Sequence, residues 1–186
     1  MCYLTQVITF TYVNKLLQCN HLALLFLFFA ILQTMNYWLI KSEGTCYSID
    51  DLKKDKKTPW SGIRNYQARN FMRDQMKVGD LVLFYHSLSN PTGIYGIAKV
   101  ASKPYPDPSA FDKKDIHYDP KSTKENPIWM LVDMAFVSKF KHPISLDEIK
   151  IDPHLEGMVV RQKGTRLSVM PVSEKHFTYI EKLAQE

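Results

Sequence analysis

The residue types that could do chemistry are concentrated in residues 60–73, where a tryptophan and a tyrosine alternate with three arginines and three side-chain amides. These residues are Trp60, Arg64, Asn65, Tyr66, Gln67, Arg69, Asn70 and Arg73. Arginines can hold an anionic backbone, aromatic rings can stack on bases, and amides can match the donors and acceptors of base edges. The apolar residues of the stretch also lie near helical spacing, so an amphipathic helix with a charged outer face fits equally well.

The elements that must position this stretch occupy residues 35–186, which we interpret as one domain. A chain of 186 residues with 45% hydrophobic content is long enough for one well-buried core and short for two. Residues 1–34 contain a single charge, Lys15, and their apolar run is shorter than the roughly 20 residues of a membrane span. They are either an amphipathic extension or sequence translated upstream of a start at Met35. We favour the second interpretation and expect residues 35–186 to fold without them.

The net charge and the cysteine content limit the kinds of binding partner and the cellular compartment that the sequence predicts. The formal net charge of +5 suits a polyanionic partner without proving one. Two of the three cysteines, Cys2 and Cys19, precede the domain, and Cys46 is left alone within it. One cysteine can build neither a disulfide framework nor a zinc site. The sequence therefore predicts a reducing compartment, which is the cytoplasm, or the nucleus in a eukaryote.

β-favouring residues predict a small sheet. Strands are expected at residues 36–42, 81–85, 94–101 and 128–140, with a last strand just before Ser173. In the first strand, Trp38 and Ile40 should face one side and Tyr37 and Leu39 the other. Residues 81–85 are almost continuously apolar, so both faces of that strand should be covered. The second and third of these strands should form a hairpin.

Polar and proline residues mark the helix starts and one long loop. Ser48, Ser145 and Ser173 stand where side-chain hydroxyls can cap helices, and Ser145 begins a Ser-Leu-Asp-Glu capping box. Prolines break any long element between residues 103 and 126, and a loop of this length should pack on the sheet or border the site. The whole pattern predicts an α+β domain with a curved, barrel-like sheet of five to six strands flanked by short helices.

The usual signatures of catalysis are missing from the sequence. It has no glycine-rich phosphate loop, no Gly-x-Ser-x-Gly elbow and no Cys/His metal spacing. His86 stands at the end of a predicted buried strand, where a structural hydrogen bond is commoner than acid–base work. The aspartates of the proline-rich loop fit turn formation better than magnesium binding. We therefore predict no catalytic residue, no cofactor and no metal.

Six motifs, taken together and in order, resemble the EVE domain. They are residues 37–43 (Tyr-Trp-Leu-Ile-Lys-Ser-Glu), 60–70 (Trp-Ser-Gly-Ile-Arg-Asn-Tyr-Gln-Ala-Arg-Asn), 77–87 (Lys-Val-Gly-Asp-Leu-Val-Leu-Phe-Tyr-His-Ser), 93–100 (Gly-Ile-Tyr-Gly-Ile-Ala-Lys-Val), 105–108 (Tyr-Pro-Asp-Pro) and 166–172 (Arg-Leu-Ser-Val-Met-Pro-Val). The resemblance covers residue 35 to the C-terminus and leaves residues 1–34 outside. It implies a PUA-like pseudo-barrel, related to the YTH and ASCH domains, with a pocket for a modified nucleobase.

The resemblance also implies where a base would bind. Lys41 with Ser42 and Trp60 with Ser61 match the positions that form the base cage of YTH relatives, Trp60 being a cage wall. By their place in the motifs, five further residues are expected to contact the ligand: Trp38, Asn65, Arg69, His86 and Ser168. Contacts to the nucleic-acid backbone are expected from Arg64, Arg73, Lys163 and Arg166. Many relatives have proline after Lys-Ser-Glu, where this chain has Gly44, so the loop over the pocket is expected to be more mobile.

The predicted function is that of a monomeric, non-enzymatic reader of a modified base in DNA or RNA, with methylated or hydroxymethylated cytosine as the favoured base. One alternative is an RNA-processing or RNA-modifying enzyme, such as a nuclease, that uses His86 with an acid. Another is an adaptor that binds a free nucleotide or another small molecule.

Overall fold

The structure is a computed structural model, and it describes residues 35–185. Eight β-strands are found in this part of the chain. They are β1 (Tyr37–Glu43), β2 (Lys57–Pro59), β3 (Leu81–Ser87), β4 (Gly93–Val100), β5 (Tyr105–Pro106), β6 (Met130–Leu131), β7 (Asp133–Ser145) and β8 (Val169–Val172). Six form one sheet in the order β2-β7-β4-β3-β1-β8, and β5 pairs with β6. Only β1 and β3 run parallel in this sheet. The predicted α+β class is confirmed, while the expectations for residues 1–34 lie outside the described residues.

Four α-helices flank the sheet, and polar side chains cap their starts. They are α1 (Ile49–Asp55), α2 (Tyr66–Asn70), α3 (Leu146–Ile151) and α4 (Glu174–Leu183). Ser48 and Ser145 begin complete capping boxes, and Ser173 accepts a hydrogen bond from a first-turn N–H of α4. Asn65 caps α2, which continues into one π-helical turn, Phe71–Gln75. Each cap satisfies an N–H that the helix itself leaves unpaired.

The two faces of β1 enter two separate hydrophobic cores, as the alternation of its residues predicts. Trp38 and Ile40 pack with residues of α1 and α2 on one face. Leu39 packs with residues of α3 and α4 on the other. The neighbouring strand β3 divides in the same way, with Phe84 in the first core and Leu83 in the second. The middle of β1, directly before Lys41 and Ser42, is therefore packed on both faces.

The long strand predicted over residues 128–140 is in fact two strands. β6 ends before Val132 and pairs with β5, whereas β7 begins at Asp133 and runs on to Ser145. The buried Asp133 carboxylate accepts hydrogen bonds from Tyr105 Oη at 2.6 Å and from Lys57 Nζ at 2.9 Å. A buried carboxylate needs such partners, and these two come from β5 and from β2, a short edge strand that the sequence did not predict.

Candidate functional site

A pocket of about 560 Å³ opens beside the C-terminal end of β1. Three parts of the chain form it: the end of β1 with the loop that follows, the end of β2 with the residues after it, and the tip of the long loop between β5 and β6. The lining residues are Lys41, Ser42, Glu43, Cys46, Tyr47, Thr58, Pro59, Trp60, Ser61, Ile63, Ile116 and His117. The fold thus brings the Lys41–Ser42 and Trp60–Ser61 pairs to one cavity.

Backbone pairing and two hydrogen bonds position the β1 side of the pocket. The Lys41 N–H donates to the Ser168 carbonyl at 2.8 Å, which ties β1 to the segment before β8. Lys41 Nζ donates to the Thr165 carbonyl at 3.2 Å, and partial burial lowers the pKa of this ammonium group. Ser42 Oγ donates to the Tyr47 carbonyl at 2.6 Å. A partly buried cation and a fixed hydroxyl therefore stand at the pocket edge.

Trp60 is both a core residue and a wall of the pocket. It is 8% exposed, its backbone N–H donates to the Val132 carbonyl at 3.0 Å, and its ring meets Tyr47 and Phe84 edge-on. A side chain that formed only the wall of an open pocket, without packing in the core, would be more exposed than this. Truncation to alanine should therefore cost both stability and binding.

The indole N–H of Trp60 differs in its hydrogen bonding from the indole N–H groups of the other two tryptophans in the chain. The Trp38 indole donates to Asp80 and the Trp129 indole to Asp119. Trp60 Nε1 has no hydrogen-bond partner within residues 35–185, and no fully buried side-chain nitrogen or oxygen in that range lacks one. The Trp60 N–H must therefore be accessible, and this residue lines the pocket.

Arg64 joins the pocket segment to the long loop. Its guanidinium donates to Asp107 Oδ2 at 2.8 Å, to Ser109 Oγ at 2.9 Å and to the His117 carbonyl at 2.7 Å. Burial alone would raise the pKa of Asp107, but hydrogen bonds from Arg64, Ser109 and the Gly62 N–H outweigh it and hold the pKa below its ordinary value. These bonds occupy the guanidinium and fix the long loop against the segment that follows Trp60, while Arg64 itself does not line the pocket.

His117 was not predicted as a site residue, yet it lines the pocket. Its ring lies against Gly62, where an added Cβ would come within 2.9 Å of His117 Cε1, and Gly62 has a φ of +81°. Both observations favour glycine at this position. The Asp-x-His spacing of Asp115 and His117 is the only local signal, because the contact with Gly62 depends on the tertiary fold.

Three residues on or beside α2, predicted to contact the ligand or the nucleic-acid backbone, form side-chain hydrogen bonds within the protein. Asn65 accepts the capping hydrogen bond of α2. Arg69 donates through Nη1 to the Ile128 carbonyl, and burial lowers its pKa. Arg73 forms a bidentate, exposed pair with the adjacent Asp74, at 2.7 and 2.8 Å. None of the three lines the pocket, so we leave them out of the proposed site.

His86 and Trp38 are likewise structural. His86 Nε2 accepts a hydrogen bond from the Ile49 N–H at 3.0 Å, and its ring stacks on Tyr95. Burial lowers the pKa of His86, which favours the neutral ring that accepts this bond. Trp38 is 2% exposed in the first core. Packing favours glycine at position 44, because a Cβ added to Gly44 would lie 3.0 Å from His86 Nδ1.

Lys163 and Arg166 are exposed in the segment between α3 and β8 that also carries Thr165, the partner of Lys41. Their exposure, on either side of a residue that contacts Lys41 of the pocket, suits contact with an anionic chain. Ser168 takes part through its backbone carbonyl and does not line the cavity. Within residues 35–185 no cluster of three metal-ligating side chains occurs, and no helix there is long and apolar enough to cross a bilayer.

A curved mixed sheet, short helices on both faces and a pocket beside the end of the first strand define a PUA-like α+β domain. The EVE domain model matches residues 36–183, and the chain belongs to the EVE domain family. The resemblance that the motifs predict is thereby confirmed.

Relatives of known sequence or structure agree with this assignment. Thymocyte nuclear protein 1 of Gallus gallus is 41% identical over 172 residues, which are 82% of this chain and 70% of the relative. The structure of a hypothetical protein from Leishmania major aligns with a TM-score of 0.78 at 44% identity, over 82% of this chain and 96% of that one. The human THYN1 protein in complex with DNA containing 5-methylcytosine aligns with a TM-score of 0.75 at 38% identity, over 80% and 98% of the two chains.

Proposed function

We propose that this protein binds nucleic acid carrying a modified base, with methylated or hydroxymethylated cytosine as the favoured base, and holds that base in the pocket beside Trp60. The observation that carries the proposal is that Trp60, whose indole N–H is accessible, lines one cavity with Lys41, Ser42 and Ser61. Support comes from the human relative, whose structure contains DNA with 5-methylcytosine.

The energetics of such binding are consistent with the residues available. Taking a base out of a duplex stack costs a few kcal/mol. Stacking on an aromatic side chain contributes roughly 1–3 kcal/mol per base, and phosphate contacts must supply much of the rest. Lys163 and Arg166 remain for that purpose, because Arg64 and Arg69 are engaged within the protein. With two phosphates neutralised, the slope of log affinity against log salt should be about −2.

Binding without turnover is part of this proposal. His86, the residue on which an enzymatic mechanism would depend, uses Nε2 to accept the Ile49 N–H and lies outside the pocket lining. The domain is proposed to act as a monomer. The expected cytoplasmic location gains no support from the vertebrate relatives, whose name describes them as nuclear, and we propose a nuclear location for this chain as well.

The test is a binding titration with matched oligonucleotides that contain cytosine, 5-methylcytosine or 5-hydroxymethylcytosine at one position. Trp60→Phe keeps an apolar ring but removes the N–H and part of the stacking surface, so the preference for the modified base should fall about tenfold. Trp129→Phe is the matched control, since Trp129 is equally buried but lies outside the pocket. Thermal melting of both variants checks that they are folded.

Two results would contradict the proposal. Equal wild-type affinity for every modified and unmodified pair would remove the reader function. Cleavage or conversion of any strand during the titration would support the enzymatic alternative instead.

A further inference from the structure

We infer that Nε2 of His117 accepts a hydrogen bond from an exocyclic amino group of the base. This hydrogen bond determines which bases the pocket binds. The pocket would then take a cytosine-type base and reject a thymine-type base, which carries a carbonyl oxygen in the same place. This inference rests on the proposed function and names the chemical class of its ligand.

The tautomer of His117 follows from its contact with Asp115. Asp115 Oδ1 accepts the His117 backbone N–H at 2.8 Å and lies 3.1 Å from His117 Nδ1. An ionised carboxylate is an acceptor only, so the proton of the neutral ring belongs on Nδ1. The lone pair is then on Nε2, as in other histidines whose second nitrogen is oriented by a carboxylate.

The Nε2 atom is also available to a ligand. It has no hydrogen-bond partner within residues 35–185, and every fully buried side-chain nitrogen or oxygen in that range has one. Nε2 is therefore accessible, and the residue that carries it lines the pocket together with Trp60. The pocket thus has an unpaired acceptor at His117 and an unpaired donor at Trp60.

The backbone and the ring of His117 are held by different contacts. The Arg64 guanidinium holds the His117 carbonyl at 2.7 Å and is itself held by Asp107. Gly62 lets the ring close onto the segment that follows Trp60, because any Cβ there would come within 2.9 Å of it. An acceptor held this way discriminates between ligands, since it cannot turn away from a carbonyl oxygen that approaches it.

A cytosine-type base matches this pair of groups. Its amino group can donate to His117 Nε2, while its ring nitrogen N3 can accept from the Trp60 N–H. Thymine has a ring N–H and a carbonyl oxygen at the corresponding positions, so donors would meet donors and acceptors would meet acceptors. A well-placed contact of this kind discriminates by at least about tenfold.

The experiment measures the affinity of the full chain for single-stranded oligonucleotides that carry 5-methylcytosine, cytosine or thymine at one position. Single strands remove any difference in base pairing, and 5-methylcytosine and thymine share the 5-methyl group. Wild type should bind 5-methylcytosine at least about tenfold more tightly than thymine. His117→Phe should bring this ratio close to one while keeping an aromatic ring in the wall.

The chain offers a matched control and a second variant. His154 has the same arrangement, with its N–H 2.8 Å and its Nδ1 3.0 Å from Asp152 Oδ1, but it lies outside the pocket. His154→Phe should leave the ratio unchanged. Asp115→Asn permits either tautomer of His117 and should lower the ratio without removing the imidazole, so the inference can be tested even if His117→Phe folds poorly.

The outcomes separate this inference from the proposed function. Preference for 5-methylcytosine over cytosine combined with equal binding of 5-methylcytosine and thymine overturns the role of His117 alone. The same conclusion follows if folded His117→Phe and Asp115→Asn both keep the wild-type ratio. Equal binding of all three oligonucleotides by wild type overturns the proposed function, and the inference with it.

Discussion

Replacing Asp107 with alanine should lower the free energy of unfolding by about 3 kcal/mol, because this carboxylate holds the pocket segment to the long loop. Its side chain is 2% exposed. It accepts hydrogen bonds from Arg64 Nη1 at 2.8 Å, the Gly62 N–H at 3.0 Å, and the N–H and Oγ of Ser109 at 3.0 and 2.7 Å.

The magnitude follows from the burial of the two partners. Removing one member of a buried ion pair typically costs about 3–5 kcal/mol, because the other charge is left without compensation. The lower end applies here, since the Arg64 side chain is 21% exposed and keeps its contacts with Ser109 and His117. For a domain of this size, about 3 kcal/mol corresponds to a fall in Tm of roughly 6–12 °C.

Urea and thermal unfolding measure the effect, with Asp74→Ala as the control. Asp74 forms an equally short ion pair with Arg73, but both side chains are exposed, so its loss should be nearly neutral. The pKa of Asp107 is lowered in the fold, so its contribution is present above the unfolded pKa of about 3.9 and is lost as the pH falls through the folded value. An Asp107→Ala variant as stable as Asp74→Ala at neutral pH would refute the role of Asp107 in holding the pocket segment to the long loop.

Three further predictions concern other parts of the molecule. Burial lowers the pKa of His86, so wild type should lose stability as the pH falls below about 6.5. In urea titrations His86→Gln, whose amide oxygen can still accept the Ile49 N–H, should lose less, and equal losses would contradict this role. Ser48→Ala removes a complete capping box and should cost about 1 kcal/mol in the same assay, with no change in binding. Lys163→Ala and Arg166→Ala should each reduce the salt slope by about 1 and weaken modified and plain strands equally, and a change in base preference would argue against backbone contact.

The sequence by itself determined the features that depend on neighbouring residues. Trp38 and Leu39 enter opposite cores because successive strand side chains point to opposite faces, and this period is independent of the rest of the fold. Ser48, Ser145 and Ser173 cap helices because a cap needs only a hydroxyl two or three residues before the N–H it accepts. Family motifs also predicted the pairs that meet at the pocket, although neither pair alone encodes the cavity between them.

Only the tertiary structure decided which polar side chains face the pocket. Arg64 and Arg69 belong to a stretch that resembles a nucleic-acid contact, yet their guanidinium groups bind Asp107, 43 positions away, and the Ile128 carbonyl, 59 positions away. His117 lies in the long proline-rich loop but outside the family motifs, and it reaches the pocket because Arg64 and Gly62 hold that loop against the segment that follows Trp60. The residue type determines what a side chain can bind, but the partners that the fold brings within about 3 Å determine what it does bind.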